Sequence, residues 1–151
     1  MSDQRALYEK VILDHNKSPR NFHAMDDPDR KAEGYNALCG DQFTVYLNFD
    51  DAGVIDDISF EGAGCAISKS SASVMTTLLK GKTQDEAKQL FEDFTTMITS
   101  EHDTPLDEKA LGKLMVFSGV REYPVRVKCA TLAWHTLISA LDGSEDPVST
   151  E

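Results

Sequence analysis

The hydrophobic period of this chain changes once and sharply, at Gly62-Ala63-Gly64-Cys65. Upstream, Phe43, Val45, Leu47 and Phe49 alternate with Thr44, Tyr46 and Asn48. That two-residue period is the mark of a half-buried strand. Asp50-Asp51-Ala52-Gly53 supplies a hairpin loop, and 54–61 reads as a second strand with Ile58 and Phe60 on one face. Downstream the period becomes helical. Ile67, Ser71, Val74, Met75 and Leu78 share a face over 66–80, with Gly81 placed to end the helix. Thr83 and Glu86 form a capping box for a helix running to about Thr99, with Ala87, Leu90, Phe91, Phe94 and Ile98 inward. A shorter helix is predicted over 107–117. Pro124 opens a last helix to Leu141, striped by Val125, Cys129, Leu132, Ala133, Leu137 and Leu141.

The ends follow the same logic. Leu7, Tyr8, Val11 and Ile12 predict a helix over 3–16, with Ser2 or Asp3 as its N-cap. His15 to Phe22 is turn chemistry around Pro19. An irregular arm covers 24–37, and a further strand is expected near 30–38. The tail 142–151 has four acids and no base and is predicted to be disordered. The expected architecture is α+β: one domain over 1–141, a small antiparallel three-stranded sheet packed by helices.

With 151 residues, 40% of them apolar, the chain can bury a core without disulfide staples. A net charge of −11 argues against nucleic acid and anionic membrane as partners, since both are polyanions. No apolar run reaches the roughly 18 residues of a membrane span. Met1 to Lys10 has no apolar segment of signal-peptide type. A soluble, cytoplasmic protein is expected.

The chemistry turns on three cysteines, an odd number that does not suit a secreted disulfide framework. Cys39 lies in a turn, Leu38-Cys39-Gly40-Asp41. Cys65 ends the glycine elbow, and Cys129 falls in the first turns of the last helix. The spacings are 26 and 64 residues, with no Cys-x-x-Cys pair. A helix N-terminus lowers a thiol pKa, a setting expected for Cys65 and shared by Cys129. Arg126, three residues before Cys129, and Lys128 beside it could stabilise a thiolate. Asp41 follows Cys39 by two, which in extended chain puts both on one side. Three thiolates and this carboxylate would suit four-coordinate Zn2+. Taken singly, each also has a plainer reading: a buried cysteine as a small hydrophobe, Asp41 as a turn residue. His15, His23, His102 and His135 compete as ligands, and none pairs in sequence with a cysteine. The acid-rich stretch Asp85 to Glu108 reads as a solvated helix face.

Four segments, 8–21 (YEKVILDHNKSPRN), 36–41 (NALCGD), 62–73 (GAGCAISKSSAS) and 120–137 (VREYPVRVKCATLAWHTL), together resemble the IscU/SufU family of iron–sulfur cluster assembly proteins. The resemblance is to the SufU branch. The stretch between Cys65 and Cys129 is longer than in IscU-type scaffolds, and Lys128 stands where those carry histidine. Tyr123-Pro124-Val125-Arg126 replaces the Leu-Pro-Pro-Val-Lys stretch read by their Hsp70 chaperone. What the resemblance implies is an IscU-like α+β sandwich holding Zn2+ on Cys39, Asp41, Cys65 and Cys129. It implies a sulfur relay that activates a PLP-dependent cysteine desulfurase of SufS type rather than a stand-alone enzyme. In such proteins a histidine of the desulfurase takes the place of one cysteine on zinc, and the freed thiol, matching Cys39, accepts persulfide sulfur for a SufBCD-type scaffold. The alternative is a scaffold that assembles a [2Fe–2S] cluster on the same residues. A third reading is a structural zinc adaptor.

Overall fold

The computed structural model describes residues 2–101, 103–144 and 147–149, without the side chains of residues 2–4. The expected N-cap at Ser2 or Asp3, and His102, lie outside the described side chains. The elements in chain order are α1 (Ser2–Lys17), β1 (Arg30–Asn36), β2 (Asp41–Phe49), β3 (Ile55–Ala63), α2 (Ala66–Leu79), α3 (Gln84–Ile98), α4 (Glu108–Leu111), a 3-10 segment (Gly112–Glu122), α5 (Pro124–Leu141) and β4 (Val148–Ser149).

The sheet order is β3-β2-β1-β4. β1 pairs antiparallel with β2 from Arg30↔Leu47 to Asn36↔Asp41, and β2 with β3 from Gln42↔Ala63 to Phe49↔Ile55. Phe43, Val45, Leu47, Ile58 and Phe60 are buried as the alternation requires, while Tyr46 on the other face is buried too and Phe49 only in part. α5 packs on β1 and β2, α2 on β3, and α1 on α2. Trp134 of α5 anchors the helical layer, stacked on Phe94 with ring centroids 5.0 Å apart. Its Nε1–H donates to Ser71 Oγ at 3.2 Å, and the Ser71 hydroxyl donates to the Ala130 carbonyl at 2.6 Å. A buried indole N–H is thereby satisfied by a helix that would otherwise be too polar for a core.

Three expectations change. The sheet has four strands, not three, because Val148 and Ser149 of the tail pair parallel with Gly34 and Tyr35. The helix expected over 107–117 is a single α-turn followed by the 3-10 segment. Gly112, at φ 52° and ψ −124°, breaks the α-ladder between them. Val125 belongs to the apolar stripe of α5 by spacing yet is 61% exposed, since the buried stretch of α5 begins at Cys129. No helix among the described residues is long and apolar enough to cross a membrane.

The turn after α1 is an anchor. Ser73 Oγ of α2 accepts the Arg20 backbone N–H at 2.8 Å and lies 2.7 Å from His15 Nδ1. Asn21 Nδ2–H donates to Thr76 Oγ1, and the Asn21 carbonyl accepts the Phe60 N–H at 3.0 Å. Burial, then the charges of Arg20 and Lys113, pull the His15 pKa from 6.5 down to about 4 against the charge of Asp14. His15 is therefore neutral in the folded chain while the unfolded chain protonates it below pH 6.5. Its contribution is complete above pH 6.5 and is lost as pH falls toward 4. We expect about 2–3 kcal/mol of stability to disappear across that window. Urea denaturation at stepped pH should show this slope in the native chain and a flatter one in His15→Asn. Parallel profiles would contradict the assignment.

Candidate metal centre

Cys39 sits in the four-residue turn that joins β1 to β2, and Asp41 is the first residue of β2. Asn36, the last residue of β1, builds the turn. Its Oδ1 accepts the Leu38 N–H at 3.1 Å, and its carbonyl accepts the Cys39 N–H at 3.3 Å. Gly40, at φ 70°, completes the reversal. Cys39 and Asp41 thus share a side because the chain turns tightly between them, not because of strand alternation.

Cys65 is the N-cap of α2. Its Sγ accepts the Ser68 N–H at 3.5 Å, and the Ser68 hydroxyl lies 3.6 Å from the same sulfur. This is the helix N-terminal setting read from the glycine elbow. The Cys65 backbone N–H donates to Asp41 Oδ1 at 2.9 Å, which ties the β1–β2 turn to the start of α2. Cys129, on the second turn of α5, lies with its Sγ 2.8 Å from Cys39 Sγ. One ligand atom each from Cys39, Asp41 and Cys129 falls within 4.8 Å of the others.

Asp41 is 2% exposed, and its Oδ2 has no hydrogen-bond partner among the described residues. A buried carboxylate oxygen without a hydrogen bond costs free energy. That of Asp41 lies beside two thiols, and the three side chains could together hold a cation. The donor set, sulfur with one carboxylate, matches what zinc takes. Cys65 is bound to this group through its backbone, while its sulfur is turned to Ser68.

Cys129 departs from expectation. Burial pushes its thiol up, and the contact with Cys39 and the negative charges of Cys65 and Asp41 add to the rise. It was expected to share a lowered thiol pKa, but it stands too far into α5 for the helix end to act. Arg126 does not join the thiols either. Its guanidinium lies over the Tyr123 ring, 4.9 Å from the centroid. There it lines a cleft of about 310 Å³ with Arg5, Tyr8 and Ile67. The described histidines are engaged elsewhere: His15 on Ser73, His23 on the Ala24 carbonyl, His135 against the Phe91 ring. Sequence reasoning missed Ser68 and Asn36. The Asn36-x-x-Cys39 spacing, an asparagine opening a turn, was the available signal for the second.

Known proteins resemble this chain over most of its length. The NifU-like N terminal domain family matches residues 7–130. The iron-sulfur cluster assembly scaffold protein IscU of Thermotoga maritima is 39% identical over 137 residues, which cover 91% of this chain and 94% of that one. The zinc-dependent sulfurtransferase SufU of Bacillus subtilis is 39% identical over 132 residues, covering 87% and 86%. A crystal structure from Fervidobacterium islandicum, described as a candidate iron-sulfur cluster assembly scaffold for the SUF system, superposes with a TM-score of 0.80 at 38% identity. It covers 87% of this chain and 94% of its own. The chain belongs to the IscU/SufU family of iron–sulfur cluster assembly proteins, built on the NifU-like N-terminal domain.

The close approach at Gly64 is testable. A Cβ there would meet Ser68 Oγ at 2.5 Å, Asp41 Oδ1 at 2.6 Å and Phe43 Cζ at 2.9 Å. Gly64→Ala must displace the carboxylate from the Cys65 N–H or move the elbow. We expect a loss of about 1–3 kcal/mol in urea denaturation. Unchanged stability would mean that this contact holds nothing in place.

Proposed function

We propose that this chain is a zinc-holding sulfur relay, with Cys39, Asp41, Cys65 and Cys129 as the ligands. The observation that carries the reading is the buried, unpartnered Asp41 Oδ2 beside the Cys39–Cys129 pair. Cys65 completes the set by a rotation of its side chain away from Ser68. When bound, zinc keeps such thiols deprotonated at neutral pH and shields them from oxidation.

Cys39 is the sulfur acceptor. It is partly exposed on a turn, while Cys65 caps a helix and Cys129 is buried. Its thiolate attacks the outer sulfur of a persulfide carried by a PLP-dependent cysteine desulfurase of SufS type. A new S–S bond forms on Cys39 and the desulfurase thiolate leaves. The Cys39 persulfide is then passed to a SufBCD-type scaffold. Arg126, stacked on Tyr123 one helical turn before Cys129, supplies a cation at the adjoining cleft rather than at the thiols themselves. A reducing compartment, the cytoplasm, suits three free thiols.

A second reading, assembly of a [2Fe–2S] cluster on the same donors, is favoured by the scaffold named at 39% identity. Protein purified without oxygen separates the two: zinc is colourless, a cluster brown. We expect one zinc and no iron per chain by elemental analysis. Asp41→Ala should keep the metal with affinity lowered at least tenfold, as an order of magnitude for a lost ligand. Stoichiometric iron would decide for the scaffold.

The acceptor is checked separately. After incubation with the desulfurase and cysteine, mass spectrometry should find added sulfur on the peptide containing Cys39. Cys39→Ser should abolish transfer with the fold retained. Sulfur on Cys65 or Cys129, with Cys39 unmodified, would overturn the assignment.

A further inference from the structure

The three thiols are not equivalent as reaction partners for one another. Cys39 and Cys129 have their sulfurs 2.8 Å apart. Cys65 is held out of this contact, its sulfur accepting the Ser68 N–H at the capped start of α2. Cys39 is partly exposed and Cys129 buried, so an oxidant arriving from solvent meets one member of the pair first. The turn carrying Cys39 is closed by hydrogen bonds of 3.3 Å from Cys39 N–H to the Asn36 carbonyl and from Gly40 N–H to the Ala37 carbonyl. Those lie beyond the usual 2.7–3.2 Å range, and so resist a small shift weakly. A disulfide needs an S–S distance of about 2.0 Å, less than an ångström of further approach.

We propose that Cys39 and Cys129 are a reversible redox pair: with no ion bound, a peroxide joins them in an intramolecular disulfide and leaves Cys65 a free thiol. The Cys39 thiolate attacks one oxygen of hydrogen peroxide. An S–O bond forms, the O–O bond breaks, and hydroxide leaves, giving a sulfenic acid and, after protonation, water. The Cys129 sulfur then attacks the Cys39 sulfur. The S–S bond forms, the S–O bond breaks, and the Cys129 proton leaves with the hydroxyl as a second water. Two thiols lose two electrons and two protons, and peroxide is reduced to two waters. A dithiol reductant reverses the change. The disulfide withdraws two donors of the centre and the relay thiol together, and it protects Cys39 from the irreversible sulfinic and sulfonic acids.

The test uses the full chain stripped of metal by a chelator without oxygen and treated with stoichiometric hydrogen peroxide. Thiols are then alkylated, and peptides are mapped without reduction. The expected result is a monomer with the Cys39 and Cys129 peptides linked, Cys65 alkylated, and the link removed by dithiothreitol. Cys65→Ser should form the same link. Cys129→Ser, given a further equivalent of peroxide, should carry sulfinic acid on Cys39. A link through Cys65, disulfide dimers as the main product, or sulfinic acid on Cys39 in the native chain would overturn the proposal. The mapping needs no zinc, so its failure is distinct from failure of the zinc reading.

Discussion

A single hydrogen bond, from the Cys65 backbone N–H to Asp41 Oδ1, joins the two segments that carry most of the candidate centre. One is the tight turn between β1 and β2, the other the N-terminus of α2. Without this bond a carboxylate buried to 2% exposure would have neither oxygen satisfied. With it, one oxygen is fixed and the other is left over, directed into a group of thiols. Gly64 is there because any side chain would occupy the space of the carboxylate. The stability of the elbow and the readiness of the centre for a cation therefore rest on the same few atoms.

The helix behind the elbow is unusual for a core element. Ser68, Ser70, Ser71, Ser73 and Thr76 of α2 are all buried. Hydroxyls in that number would be costly if unpaired, but the helix uses them as directional ties. Ser71 links Trp134 and the Ala130 carbonyl on α5, Ser73 meets His15 and the Arg20 amide, and Thr76 receives Asn21. An apolar face can slide by a fraction of a turn at small cost, whereas a hydrogen-bonded one keeps its register. The Ser71–Ala130 bond lies one residue from Cys129, so the start of α2 and the second turn of α5 are locked to each other. Cys39, on a turn closed by long hydrogen bonds, is the looser member.

That difference in mounting gives the thiols different chemistry. Cys65 is engaged by a helix N-terminus, Cys129 is buried among negative groups, and Cys39 meets solvent. Leu38, next to Cys39 in sequence, and Val125, one turn before Cys129, are both exposed.

Much of the fold was legible in local pattern. The strand from Phe43 to Phe49, the Thr83–Glu86 capping box and Pro124 at the start of α5 each rest on signals within a few residues, and each element lies where those signals put it. The sequence likewise contained the donor types, Cys39, Asp41, Cys65 and Cys129, and the glycines that let backbone come close. What it did not contain was distance. That Cys39 and Cys129, ninety positions apart, touch is decided by α5 lying across β1 and β2. That Arg126 stacks on Tyr123 instead of facing a thiol depends on rotation about the α5 axis, which a spacing of three leaves open. The tail strand and the burial of His15 were equally invisible, since both are set by contacts with partners remote in the chain. Periodicity records which face of an element is apolar, and only packing determines what that face meets.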